Sequence, residues 1–232
     1  MRASLLLAVL LVLPLASLAK KPKKAAVPEV DLATRWVHDA PEYKAVVAGT
    51  YASAIDEILH TATRLPADTD WAVVSDADET LIDNSSYQLE VHGNFTSETW
   101  AEWEARGDAV AIDGAVAFVA RVHQSGGRMA FITNRKNHDA GLKLLKDRGL
   151  WADGDRLCVK TDGSDKTARR TSVREGTPTC GWDGRPMKVL AYLGDQVGDF
   201  PSDGEVADDG LTVWGRTWFM LPNPMYGKWA QE

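Results

Sequence analysis

The feature that most constrains this chain is the run Trp71-Ala-Val-Val-Ser75, which ends in Asp76-Ala-Asp78-Glu-Thr80. A short apolar stretch bounded by polar residues reads as a buried strand of a parallel sheet. Ligands of such sheets sit in the crevice beyond the carboxyl ends of the strands, so Asp76 and Asp78 arrive at the site-forming edge. Residues two apart on a strand start on the same face. Two carboxylates held that close repel unless a cation or a shared proton relieves them. The stretch alone allows either a metal or catalytic pair or an acidic surface turn.

The remainder of the chain repeats the pattern. Met129-Ala-Phe-Ile-Thr133 reads as a second buried strand, followed by Asn134 and Arg135, and Leu157-Cys-Val159 as a short third. Val189-Leu-Ala-Tyr-Leu193 reads as a fourth strand, running into Gly194-Asp195 with Asp199 four residues on. Between them lie helical patterns at 115–124, 139–148 and 165–174, with Asp113 a cap and Gly126-Gly127 a stop for the first. This rhythm predicts an α/β doubly wound parallel sheet flanked by helices. Apolar residues at three- and four-residue spacing from Trp36 to Leu59 predict N-terminal helices, the second starting at Pro41 and ending before Pro66. The residues after Leu81 leave the edge as a polar turn, and 98–106 form a short helix carrying Trp100 and Trp103. We expect a single domain over 31–232 with a small cap-like insert at about 84–112.

Residues 1–19 carry Arg2, an apolar run from Leu5 to Leu15 and Ser17-Leu18-Ala19, the pattern of a signal peptide cleaved after Ala19. The run is short for a transmembrane helix and is broken by Pro14. No cysteine lies near the cleavage point, so no lipid anchor is expected and the mature protein should be exported, periplasmic or secreted. Residues 20–30, rich in lysine with Pro22 and Pro28, read as a disordered lead. Cys158 and Cys180 are the two cysteines, and in an oxidising compartment they invite one disulfide. A formal net charge of −7 argues against a nucleic-acid polymer as partner, although a small phosphorylated molecule remains compatible.

The polar strand ends suit phosphoryl transfer, which needs an in-line nucleophile, neutralised phosphate oxygens and an acid for the leaving group. Asp76 is placed to attack and Asp78 to protonate the leaving oxygen and then activate water. A hard cation such as Mg²⁺ must bridge phosphate and carboxylates, with Asp195 the second carboxylate and Asp199 close behind. Thr133 offers a hydroxyl, Asn134 an amide and Lys166 a cation to the phosphate. Lys160 is a second candidate for that cation.

These residues resemble the four motifs of the haloacid-dehalogenase superfamily, and within it the class C bacterial acid phosphatases and nucleotidases related to plant vegetative storage proteins. Asp76-Ala-Asp-Glu-Thr-Leu-Ile-Asp-Asn84 matches the first motif and Ile132-Thr-Asn-Arg-Lys136 the second. Ser164-Asp-Lys166-Thr-Ala-Arg-Arg170 resembles the lysine region, and Leu193-Gly-Asp-Gln-Val-Gly-Asp-Phe200 matches the last. Trp36 with Glu42-Tyr43, and the segment from Thr217 to Trp229, extend the similarity. The resemblance implies a Rossmannoid fold and a Mg²⁺-dependent phosphomonoesterase with Asp76 as nucleophile and Asp78 as acid/base. The metal would be held by Asp76, the Asp78 backbone carbonyl and Asp195, with Asp199 in support, and Thr133 and Lys166 would bind the phosphoryl group. Two tryptophans three apart on a helix read first as core packing; the resemblance also implies that Trp100 or Trp103, with Tyr226, clasps a nucleotide base, and it makes a homodimer plausible. The chain departs from many lipoprotein members at Gly198, where they carry another acid. The rivals are a catalytically weak binding or storage protein and a phosphotransferase. The intact Asp76, Asp78, Thr133, Asp195 and Asp199 favour the phosphatase.

Overall fold

A computed structural model describes residues 31–202, 205 and 213–231. The expected signal peptide and lead fall outside the described residues.

At the centre lies the expected strand, β1 (Trp71–Ser75), buried along its whole length. It pairs in parallel with β4 (Arg128–Ile132) on one side and β6 (Lys188–Gly194) on the other. Beyond β4 runs β5 (Arg156–Cys158), and beyond β6 runs β7 (Trp218–Met220), also parallel. The order β5-β4-β1-β6-β7 makes a five-stranded sheet, one strand more than the sequence rhythm showed. Three residues are too few for β7 to display a period.

Alternation along the strands sorts the core into two layers. Trp71, Val73, Met129, Phe131, Ala191 and Leu193 face one cluster, which includes apolar residues of α2 (Pro41–Ala62), α5 (Ala115–Gln124) and α6 (His138–Asp147). Ala72, Val74, Ala130, Ile132 and Tyr192 face the other, with Val173 of α7 (Thr167–Glu175), Cys180 and Trp182. Both faces are therefore covered, as a fully parallel sheet requires. Gly127 permits β4 to run beside β1, because a Cβ there would collide with the Trp71 ring. The expected disulfide is present: Cys158 at the end of β5 is bonded to Cys180, with Cα atoms 5.6 Å apart.

Two local expectations are corrected. The polar residues after Asp83 form a helix, α3 (Ser85–Val91), rather than a turn, because the Asp83 carboxylate accepts the Ser85 N–H at 2.7 Å and starts it. Asp113 does not cap α5; Gly114 holds that place at φ 92°, and Asp113 pairs with Lys44 at 3.0 Å. The N-terminal helices are α1 (Leu32–Asp39) and α2, with Pro41 in the first turn of α2 as expected. The insert holds α3 and α4 (Ser97–Arg106), and its base is closed by a two-residue antiparallel pair, β2 (Ile82–Asp83) with β3 (Val110–Ala111). No helix among the described residues is long and apolar enough to cross a membrane.

Candidate active site

The sheet brings the ends of β1, β4 and β6 together. Asp76 leaves β1 with its N–H donating to the Leu193 carbonyl at 2.9 Å, which levels the first carboxylate with the end of β6. Its side chain is buried, and one oxygen meets the Lys166 ammonium while the other accepts from the Thr80 hydroxyl at 3.3 Å. Lys166, the residue preceding α7, also donates to Asp199 at 2.6 Å. Asp199 lies in a short 3₁₀ turn (Val197–Asp199), where its second oxygen accepts the Gln196 N–H at 2.9 Å. Asp195 completes the group and accepts from the Asn223 amide at 2.8 Å. Gly194 is needed behind them, since a Cβ there would land on the Asp199 side chain.

Asp76, Asp195 and Asp199 each present a carboxylate oxygen within 4.8 Å of the others. Asp76 and Asp199 thus share one ammonium with Asp195 beside them, and the electrostatics reflect that arrangement. Burial pushes Asp76 well above the ordinary aspartate range, with Lys166 pulling it back and Asp199 and Asp195 adding to the rise. Burial and then Asp199 push Asp195 up to about 7. Burial alone would lower the Lys166 pKa, but Asp76 and Asp199 hold it above the usual lysine value. An all-oxygen cluster with excess negative charge fits a hard divalent cation.

The second carboxylate faces a different set of groups. Asp78 accepts a two-point contact from Arg135, at 2.6 Å from Nη2 to Oδ1 and 3.0 Å from Nε to Oδ2. The Asn84 amide donates to the same Oδ1 at 2.9 Å, and the Thr133 hydroxyl to Oδ2 at 3.3 Å. Burial alone would raise Asp78, but Arg135 and then Asn84 bring it below the ordinary aspartate range. Thr133 therefore sits at the end of β4 beside Asp78 as expected, and Lys166 rather than Lys160 supplies the ammonium that reaches Asp76. Asn134 is exposed, and its side-chain carbonyl accepts from Arg169 at 2.9 Å.

Of the aromatic residues, Trp103 takes the packing place and not the stacking one. Trp103 is 3% exposed, with its indole N–H on the Asn84 carbonyl at 2.9 Å, its ring against Tyr87 and the Arg106 guanidinium over it. It is packing, with no free face for a base. Trp100 is half-buried; Tyr87 meets it edge-on, and the Arg135 guanidinium lies 5.2 Å from its ring centre. Tyr226 donates its hydroxyl to Glu79, a buried acid at φ 55° that burial and the neighbouring Asp78 and Asp195 push well above the glutamate range. Glu79, Asn84, Arg135 and Asn223 were not singled out from sequence for any role. The first three lie within the quoted motifs, and that position was their only signal.

Two comparisons bear on this geometry. Residues 16–229 match the model of the HAD superfamily, subfamily IIIB (Acid phosphatase). The structure is similar to that of the class C acid phosphatase from Bacillus anthracis, with 25% identity, a TM-score of 0.70 and coverage of 85% of this chain and 84% of that one. A second structure of that phosphatase, with tungstate bound, matches with the same values. A match over nearly the whole chain, with the acids of the motifs gathered at one sheet edge, places the protein in the HAD superfamily, subfamily IIIB, the acid phosphatases, and makes it a phosphomonoesterase.

Proposed function

We propose that the chain is an exported, Mg²⁺-dependent acid phosphatase that hydrolyses nucleoside monophosphates or other small phosphate esters through a phosphoryl group carried on Asp76. The observation that supports this most is the single ammonium of Lys166 held between Asp76 and Asp199, with Asp195 alongside. Such a cluster attracts a cation and then a phosphate. Asp76, Asp195 and the Asp78 backbone carbonyl, backed by Asp199, are the groups that would hold the cation, which when bound offsets the repulsion between phosphate and carboxylates. The tungstate in the related Bacillus anthracis structure is a tetrahedral oxyanion of the kind this edge should accept.

In this reading an Asp76 oxygen attacks the phosphorus and the bond to the leaving oxygen breaks, its electron pair staying on that oxygen. Asp78 supplies the proton the leaving oxygen takes up. Water then attacks the phosphorus of the aspartyl-phosphate, giving its proton to Asp78, and the electron pair of the broken bond returns to Asp76. Thr133 and Lys166 bind the phosphoryl oxygens. Because Arg135 holds Asp78 down, the proton-donating form is favoured at acid pH, and the rate should rise as the medium is acidified towards the Asp78 range.

The test is phosphate release from a nucleoside monophosphate and an aryl phosphate, with Mg²⁺ and with EDTA, beside Asp76→Asn. Metal-dependent turnover lost in the variant is the expected result. Turnover retained in Asp76→Asn would overturn the assignment.

A further inference from the structure

Asn84 ends the first motif, and the reaction as described gives it no task. Its side chain is fully buried and uses its whole hydrogen-bonding capacity. The amide nitrogen donates to Asp78 Oδ1 at 2.9 Å and to Glu79 Oε1 at 3.1 Å. The carbonyl accepts from the Trp103 indole at 2.9 Å and from Arg135 at 3.3 Å. Two donors on one side and two carboxylates on the other allow a single orientation of the amide, because the flipped form would face N–H against N–H and oxygen against oxygen.

We propose that Asn84 is the positioning residue for Asp78, and that Trp103 of the insert sets the Asn84 amide for that purpose. The inference rests on Asp78 being the acid/base proposed above. Asn84 and Arg135 Nη2 hold Oδ1 of Asp78, while Oδ2, which also accepts from Arg135 Nε at 3.0 Å, faces the Thr133 hydroxyl at 3.3 Å, on the side where the phosphoryl group would bind. Oδ2 is then the oxygen that delivers the proton when the bond from phosphorus to the leaving oxygen breaks. A carboxyl free to rotate about its last bond would present that proton only part of the time. The arrangement gives the insert a mechanical role: α4 reaches the acid through one indole N–H and one amide. Glu79, which accepts the other amide hydrogen and the Tyr226 hydroxyl, registers the C-terminal segment to the same joint.

Leaving-group dependence tests this, because a positioning defect differs there from a structural one. Values of kcat/KM, which report phosphorylation of Asp76 alone, are measured for a nucleoside monophosphate, phenyl phosphate and dinitrophenyl phosphate with the metal-loaded enzyme. The set comprises the wild type, Asp78→Asn, Asn84→Ala and Trp103→Phe. A nucleoside alkoxide needs a proton to leave, whereas a dinitrophenolate does not. Asn84→Ala should lose roughly 10²-fold on the nucleotide and little on dinitrophenyl phosphate. Trp103→Phe, which keeps an aromatic ring but not the N–H, should show the same pattern with a smaller loss, and it decides the matter alone if Asn84→Ala does not fold. Equal losses on all three esters, or none, would overturn the inference while Asp78→Asn still shows leaving-group dependence. If Asp78→Asn also loses equally on all three, the acid role of Asp78 falls, and the inference with it.

Discussion

The two carboxylates of the first motif are separated by one residue and live in opposite surroundings. Asp76 belongs to the sheet edge: its partners are two further acids, carried by the end of β6 and the turn after it, and the ammonium of Lys166 just before α7, and burial pushes its pKa up. Asp78 belongs to the insert side: its partners are the Arg135 guanidinium and the Asn84 amide, backed by Trp100, Trp103 and Glu104, and its pKa is pulled down. The difference separates two tasks. Excess negative charge at Asp76 suits capture of a cation and a phosphate, whereas a neutral-to-cationic shell of fixed donors at Asp78 suits control of one proton.

Substitutions on the two sides should therefore fail in different ways. The largest expected effect is on the sheet edge: Lys166→Met should lower kcat by about 10³-fold, since it removes a preorganised charge from the phosphoryl site. The loss should be alike for good and poor leaving groups in steady-state assays, and a loss confined to poor ones would erase the contrast. On the insert side, Arg135→Leu leaves Asp78 and Glu104 without their shared cation and should cost roughly 3–5 kcal/mol of stability in denaturant titrations. Arg135→Lys should restore only part of it, because an ammonium cannot make the two-point contact.

The pH response sharpens the comparison next. With its folded pKa about 7, above the ordinary aspartate value, Asp195 supports the fold fully in acid and loses that contribution as pH rises through neutrality. Chelator-treated protein should thus lose on the order of a few kcal/mol between pH 4 and 8, read from urea midpoints, and a divalent cation should suppress the loss. Gly194→Ala presses a methyl on Asp199 and should weaken metal binding by roughly 10- to 100-fold in calorimetric titrations, with the insert side unaffected. The smallest effect is expected of Trp100→Leu, which gives up the contact with Arg135 and should cost about 1 kcal/mol.

The same division explains what could be read from the sequence. Asp76, Thr133 and Asp195 sit at the ends of apolar strands, where a run followed by a polar residue announces them, and Lys166 stands just before a helix. Backbone geometry alone then brings them to one edge. The shell of Asp78 is built by side chains whose meeting leaves no periodic trace: Trp103 reaches Asn84 across 19 positions, and Arg135 reaches Asp78 across 57. The base-stacking expectation for Trp103 failed for this reason, since two tryptophans three apart on a helix look alike until the fold shows which one is enclosed. The two-residue strands β2 and β3 and the short helix α3 were missed because elements of that length carry no pattern of their own.

Phosphoryl transfer in this chain is proposed to pass through Asp76. The most direct measurement mixes the metal-loaded enzyme with an excess of dinitrophenyl phosphate, quenches in acid within the first turnover and maps the modified peptide by mass spectrometry. One added phosphoryl group is expected on the peptide that contains Asp76, and none in Asp76→Asn. A phosphoryl group on another residue, or product released at full rate from Asp76→Asn with nothing trapped, would contradict it.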